Sequence, residues 1–205
     1  KDAKADLTPL INKLCSGNPI GIQYTPKNFA VSTDNTRFDG YDKKGFHEDD
    51  FHQAITKFWR KNYPKILMIG ETAGNWPSSM SRDGILGFCN ALGYRNGTFD
   101  LSVHDTANGC LRLGIELKVE PNTLRPEQIY CAKKYRALGH VIVCYTLKRD
   151  RGISGGLRDI EAIVNTYFNG TPAEIWDIQG LKHHTVEIRD KEGNVTSRYE
   201  ELDKN

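Results

Sequence analysis

Asp100, Glu116 and Lys118 are residues whose types and spacing offer chemistry. They fall in two stretches that alternate apolar and polar side chains, Phe99–Val103 and Gly114–Glu120. Alternation of that period is the pattern of β-strands with unlike faces. One face would carry Phe99, Leu101, Val103, Ile115, Leu117 and Val119, and the other Asp100, Ser102, Glu116 and Lys118. Two carboxylates beside a lysine suit phosphodiester hydrolysis. That reaction needs an activated water and a neutralised phosphate, and a magnesium or manganese ion held by hard oxygen ligands supplies both. Asp100, Glu116 and the main-chain carbonyl of Leu117 would hold the ion. Lys118 would orient the attacking water and offset developing charge. An ordinary solvent-facing strand pair would carry the same residue types, so geometry has to separate the two.

The acids share a face in only one kind of register. A connection of odd length centred on Asn108 sets Asp100 across from Glu116. A bare two-residue Asn108-Gly109 turn would pair Asp100 with Leu117 and put the acids on opposite faces. The expectation is a three- or five-residue loop, or a bulge near Gly109 or Gly114.

The elements that position this hairpin can be read from periodicity. Asp6–Leu14 has the spacing of a short helix, and residues 16–45 form an irregular arm with interspersed aromatics. Glu48–Arg60 is amphipathic, with Phe51, Ile55 and Phe58 along one stripe and acid in the first turn. Lys65–Glu71 reads as a buried strand, residues 72–81 as a loop and Ser81–Leu92 as a helix. After the hairpin, Pro126–Leu138 reads as a helix with Gln128, Cys131 or Ala132, Tyr135 and Leu138 along one inward stripe. His140–Leu147 is a buried strand, Lys148–Arg151 a basic turn and Ser154-Gly155-Gly156 a flexible one. Leu157–Phe168 is a helix that Asn169-Gly170 ends, and the compact core ends there too. Thr185–Ile188 and Val195–Tyr199 flank Asp190–Asn194 and read as a tail hairpin. Three regions result: an arm over 1–45, a core over 46–170 and a tail over 171–205. The core is an α/β fold, a mixed sheet with helices on both faces.

The 205 residues, 38% apolar and 26% charged, suit one globular domain with a real core. The longest apolar runs, Ile66–Ile69 and Val141–Cys144, fall far short of the roughly 20 residues of a membrane helix. A chain that opens on Lys1 with no signal-peptide pattern predicts a trimmed or processed terminus. Cys15, Cys89, Cys110, Cys131 and Cys144 form no C-x-x-C pair, which predicts reduced thiols and a cytoplasmic protein. His183 and His184 are adjacent on a strand and point opposite ways, so they do not share a metal. No G-x-S-x-G phrase exists, and Ser154 has no evident partner for serine hydrolysis. A net charge of +2 leaves nucleic-acid binding to local patches.

The order of elements, with the Asp…Glu-x-Lys hairpin, resembles the PD-(D/E)xK nuclease superfamily. Several phrases resemble its VRR-NUC branch, including the small standalone phage and bacterial members. They are Glu48-Asp-Asp-Phe-His-Gln-Ala-Ile, Leu92-Gly-Tyr-Arg-Asn-Gly-Thr-Phe-Asp100-Leu, Ile115-Glu116-Leu-Lys118-Val, Leu124-Arg-Pro-Glu-Gln128 and Ala137-Leu-Gly139-His-Val-Ile-Val. The likeness covers residues 48–147. It implies a restriction-endonuclease-like core with Asp100, Glu116 and Glu48 at the metal, Lys118 as catalytic lysine and Gln128 bordering the site. His52 falls where family members often have glutamine. Thr98-Phe99 replaces the usual Val-Pro, and Arg125 stands where a small capping residue is common.

The expected activity is a magnesium- or manganese-dependent endonuclease acting on DNA, dependent on structure or context, since nothing resembles a recognition helix or zinc finger. Arg95, Arg125, Lys148, Arg149 and Arg151 flank the proposed site and are the expected phosphate contacts. The host would be a bacterial or phage-infected cell. A homodimer would let two sites address two strands, and no organic cofactor or membrane is implied. The rivals are a non-catalytic binding module on the same fold and an RNase.

Overall fold

The computed structural model describes residues 29–70, 99–189 and 193–202. The expected helices at 6–14 and 81–92, and Arg95, lie outside the described residues. Helix α1 (Glu48–Asn62) buries Phe51, Ala54, Ile55, Phe58 and Trp59 as one apolar stripe. Glu48, Asp49 and Asp50 fill its first turn and Arg60 and Lys61 its last, each with the sign the helix dipole favours.

Four strands, β1 (Met68–Gly70), β2 (Leu101–Val103), β3 (Leu113–Val119) and β4 (Val141–Leu147), form one sheet in that order. The first two pairings are antiparallel and the third is parallel. Helix α2 (Pro126–Ala137) crosses between the parallel strands, as their geometry requires. Helices α1 and α3 (Gly152–Asn169) close the face that carries Leu101, Ile115 and Leu117. Helix α2 closes the other face through Ala132, Phe99 and Ile142. The molecule is thus a mixed α/β fold with helices flanking a four-stranded mixed sheet. Strand β3 is buried along its whole length.

The register is the one the acids need. Leu101 pairs with Ile115, Ser102 with Gly114 and Val103 with Leu113, a frame that sets Asp100 across from Glu116. The connection runs from 104 to 112, odd in length and centred on Asn108, but longer than three or five residues. At its tip the left-handed pair Asn108 (φ 51°) and Gly109 (φ 74°) makes a tight turn closed by an Ala107–Cys110 bridge. That bridge and the strand ladder are one residue out of frame. Three residues on one arm (104–106) face two on the other (111–112), and this slip keeps the acids together. Tertiary bonds hold the connection in place. Asn108 Nδ2 donates to the carbonyl of Tyr167 at 2.9 Å, the Tyr167 hydroxyl donates to Asp105 O at 2.9 Å, and Asp105 accepts the Leu67 N–H at 2.8 Å.

Several sequence expectations change. The chain bends at Asp100, so Phe99 lies on the opposite sheet face from Leu101 and meets Tyr135 edge-on at 5.2 Å. The strand expected over 65–71 shortens to Met68–Gly70 at the sheet edge, with Leu67 and Ile69 exposed. Leu138 is exposed rather than inward. Ser154-Gly155-Gly156 is helical, not a turn. Asp42 accepts the Ser154 N–H and hydroxyl, both at 2.8 Å, and Gly156 lets α3 approach the Phe51 ring.

The core also runs past both ends drawn for it. Phe29 and Phe38 join it from the arm, and Ile175 of α4 (Pro172–Ile178) joins it from the tail. Arg37 in the arm forms a buried ion pair with Glu161 of α3, which also accepts the Tyr63 hydroxyl. Strands β5 (His183–Arg189) and β6 (Val195–Leu202) form the expected tail hairpin.

A Cβ at Gly114 would sit 2.6 Å from the Phe99 ring and 3.0 Å from Ile142 Cδ1. Gly114→Ala should cost about 1–3 kcal/mol in urea unfolding. Asn108→Ala should cost about 1–2 kcal/mol by freeing the turn from α3. A neutral Gly114→Ala would mean that Phe99 is not held against β3.

Candidate active site

The site is built around the Lys118 ammonium, which β3 carries into the sheet interior. Its Nζ donates to Glu116 Oε1 at 2.8 Å, to the Leu117 carbonyl at 2.6 Å and to Glu48 Oε1 at 3.2 Å. Glu116 and Lys118 share a face because they are two residues apart on one strand. Glu48 arrives from the first turn of α1, and Gln128 from the first turn of α2. The Gln128 amide donates to Glu116 Oε1 while its own carbonyl oxygen accepts the Arg125 N–H at 2.9 Å, so one side chain caps α2 and orients Glu116. Asp100 Oδ2 accepts the Leu117 N–H at 2.7 Å. The structure therefore brings together Asp100, Glu116, Leu117, Lys118, Glu48 and Gln128, from four separate places in the chain.

The electrostatics follow from burial. Desolvation, then the charge of Asp100, pushes the Glu116 carboxyl up to about 7, against the pull of Lys118. Burial likewise raises Asp100, although the Leu117 N–H and Lys118 favour its ionised form. Desolvation pulls Lys118 down, but its hydrogen bond to Glu116 and the surrounding carboxylates more than reverse this and hold it above the ordinary lysine range. Glu116 Oε2 is buried with no hydrogen-bond partner.

The donor chemistry suits a hard divalent cation. Three oxygens from Glu116, Leu117 and Glu48 already converge on one positive charge, the ammonium, and the orphaned Glu116 Oε2 leaves an acceptor to spare. All are oxygens, the ligand type magnesium and manganese prefer. Among the described residues no three His, Cys, Asp or Glu side chains form a ready-made cage, so a bound ion would also draw on the carbonyl and on water.

His52 sits one turn along α1 from Glu48. Burial lowers its pKa, opposed by the charges of Asp100, Asp49 and Glu48. Its ring lies against Gly70 of β1, where a Cβ would come within 3.1 Å of Nε2. In the sequence, only its i, i+4 spacing from Glu48 points to this position.

The basic residues divide. Arg125 is exposed, makes no side-chain cap, and lines an open polar concavity of about 440 Å³ with Glu48, Lys118 and Asn122. Lys148 is exposed. Arg149 is engaged internally, donating to Glu120 O at 2.8 Å and Phe46 O at 3.0 Å. Arg151 pairs with Asp159 at 2.7 Å.

The fold places the chain among mixed α/β proteins, and the candidate site lies on an inner strand of its four-stranded sheet. No family model and no curated protein matches it. A solved structure named VRR_NUC domain protein is similar, at 18% identity over 63% of this chain and 98% of its own, with a TM-score of 0.45. Among the described residues no helix is long and apolar enough to cross a membrane.

Glu116 gives a pH signature. A carboxyl raised in the folded state binds its proton more tightly there than in the unfolded chain. Its contribution to stability is full below the ordinary glutamate range and is lost as pH rises toward about 7. In metal-free protein, Glu116→Gln should therefore flatten the fall in urea stability between about pH 4.5 and 7. Parallel wild-type and variant curves across that window would contradict the raised pKa.

Proposed function

We propose that this chain is a divalent-metal-dependent endonuclease that hydrolyses phosphodiester bonds in DNA, directed by structure or context. The observation that carries the reading is the convergence of Glu116, Glu48 and the Leu117 carbonyl on one buried cation, with Asp100 set across from Glu116. Buried carboxylates that crowd one another raise their own pKa values and are costly to the fold, which marks a site kept for chemistry.

Asp100, Glu116, Glu48 and the Leu117 carbonyl would hold magnesium or manganese. Such an ion supplies an activated water and charge neutralisation at the phosphate. Lys118, released from the oxygens it now bridges, would position the attacking water and stabilise negative charge on the phosphoryl oxygens. Gln128 fixes Glu116 Oε1 so that Oε2 keeps its aim. Arg125, at the mouth of the neighbouring concavity, would hold a flanking phosphate. Lys148 is a further candidate for such a contact.

Nicking of supercoiled plasmid, branched DNA and RNA of matched sequence tests the reading. Cleavage should require magnesium or manganese and stop with a chelator. Glu116→Ala, Asp100→Asn and Lys118→Ala should each lower the rate by about 10²–10³-fold or more while melting cooperatively. Binding without cleavage by the wild type would point to a non-catalytic module, and preferential cutting of RNA to an RNase. Equal cleavage by wild type and variants would sink the assignment.

A further inference from the structure

Helix α1 continues beyond the site, and its outer surface changes character along its length. Glu48, His52, Thr56 and Arg60 stand at successive four-residue steps and so form one row. Glu48 belongs to the oxygen set, and His52 lies beside β1 within the field of Asp100. From His52 an open groove of about 650 Å³ follows the helix, with Lys57, Arg60 and Lys61 on its wall and Gly70 of β1 opposite. Among the described residues no acidic side chain lines it. Lys57, Arg60 and Lys61 are exposed, and among the described residues no ion pair holds Lys57 or Arg60. Lys61 feels the carboxylate of Asp34. Arg60 and Lys61 complement the helix dipole, but Lys57, a turn earlier, is not needed for that.

We infer that this groove is a phosphate track, taking the backbone of the nucleic-acid strand on one side of the cleaved bond. The concavity at Arg125 borders the oxygen set through Glu48 and Lys118, whereas the groove begins one helical turn further along α1, at His52. A strand entering past Arg125 would cross Glu48 and Lys118, pass His52 and leave along Lys57 and Arg60. The row from His52 to Arg60 is about 12 Å long at the rise of an α-helix, enough for a few phosphates. The ligand class is a polyanionic nucleic-acid backbone read without base contacts. The inference rests on the nuclease reading of the site.

Its test is the salt dependence of binding by the full chain in chelator, using labelled duplex DNA, single-stranded DNA and RNA. Lys57→Gln/Arg60→Gln is compared with Lys133→Gln/Lys134→Gln, an equal charge change on the exposed side of α2. The α1 variant should bind at least one of these nucleic acids about tenfold more weakly, with a log–log salt slope shallower by about 2. The α2 variant should match wild type, and both should melt as wild type does. The inference is overturned if the α1 variant keeps wild-type affinity and slope, or if the α2 variant loses as much. Should wild type still cleave in those cases, the nuclease reading stands and only the track falls. Should wild type neither bind nor cleave any of the three, both fall.

Discussion

A lysine ammonium buried in the middle strand of a sheet must be neutralised by groups that reach it from elsewhere. Lys118 is only 6% exposed, and an unpaired charge at that depth costs about 3–5 kcal/mol. Glu116 alone cannot balance the site, because its burial, with the charges of Asp100 and Glu48 beside it, raises its pKa. The ammonium therefore draws in Glu48 from α1, and Gln128 from α2 steadies Glu116. Three elements on the two faces of the sheet are tied to one charge. The same set of oxygens is what a divalent ion would accept, so the contacts that make the fold tolerable are also those the proposed chemistry would use.

That arrangement depends in turn on a frame far from it. Asp100 faces Glu116 only because the connection between β2 and β3 absorbs a one-residue slip between its tight tip and its ladder. The tip is anchored to the end of α3 by Asn108 and the Tyr167 hydroxyl. Gly114 makes room for Phe99, whose ring holds the chain just before Asp100. The site is thus positioned by packing on both faces of β3 rather than by the hairpin itself.

Much of this was legible in order and type. Period-two alternation located β3, and the amphipathic stripe located α1 within two residues of its end. The odd connection centred on Asn108 was required by the side-chain period alone. Other features were hidden for physical reasons. Alternation groups Phe99 with Leu101 because it assumes a straight strand, whereas the chain bends at Asp100 and turns Phe99 to the opposite face. Ser154-Gly155-Gly156 reads as a turn by propensity, yet the Asp42 cap and the close approach of Phe51 make it helical. Arg149 and Arg151 look free in sequence and are engaged in the structure. The boundaries at 45 and 170 followed composition, whereas Phe29 and Ile175 follow the core.

The sequence by itself determined which residues are candidates for chemistry and which side of a strand each must occupy, because side-chain alternation is a local property of extended backbone. Only the tertiary structure decided that Glu48 and Gln128 close around Glu116 and Lys118, that both faces of the polar strand are covered, and that a basic groove runs from His52 along α1. Those facts depend on contacts between residues distant in the chain, and no local period encodes them.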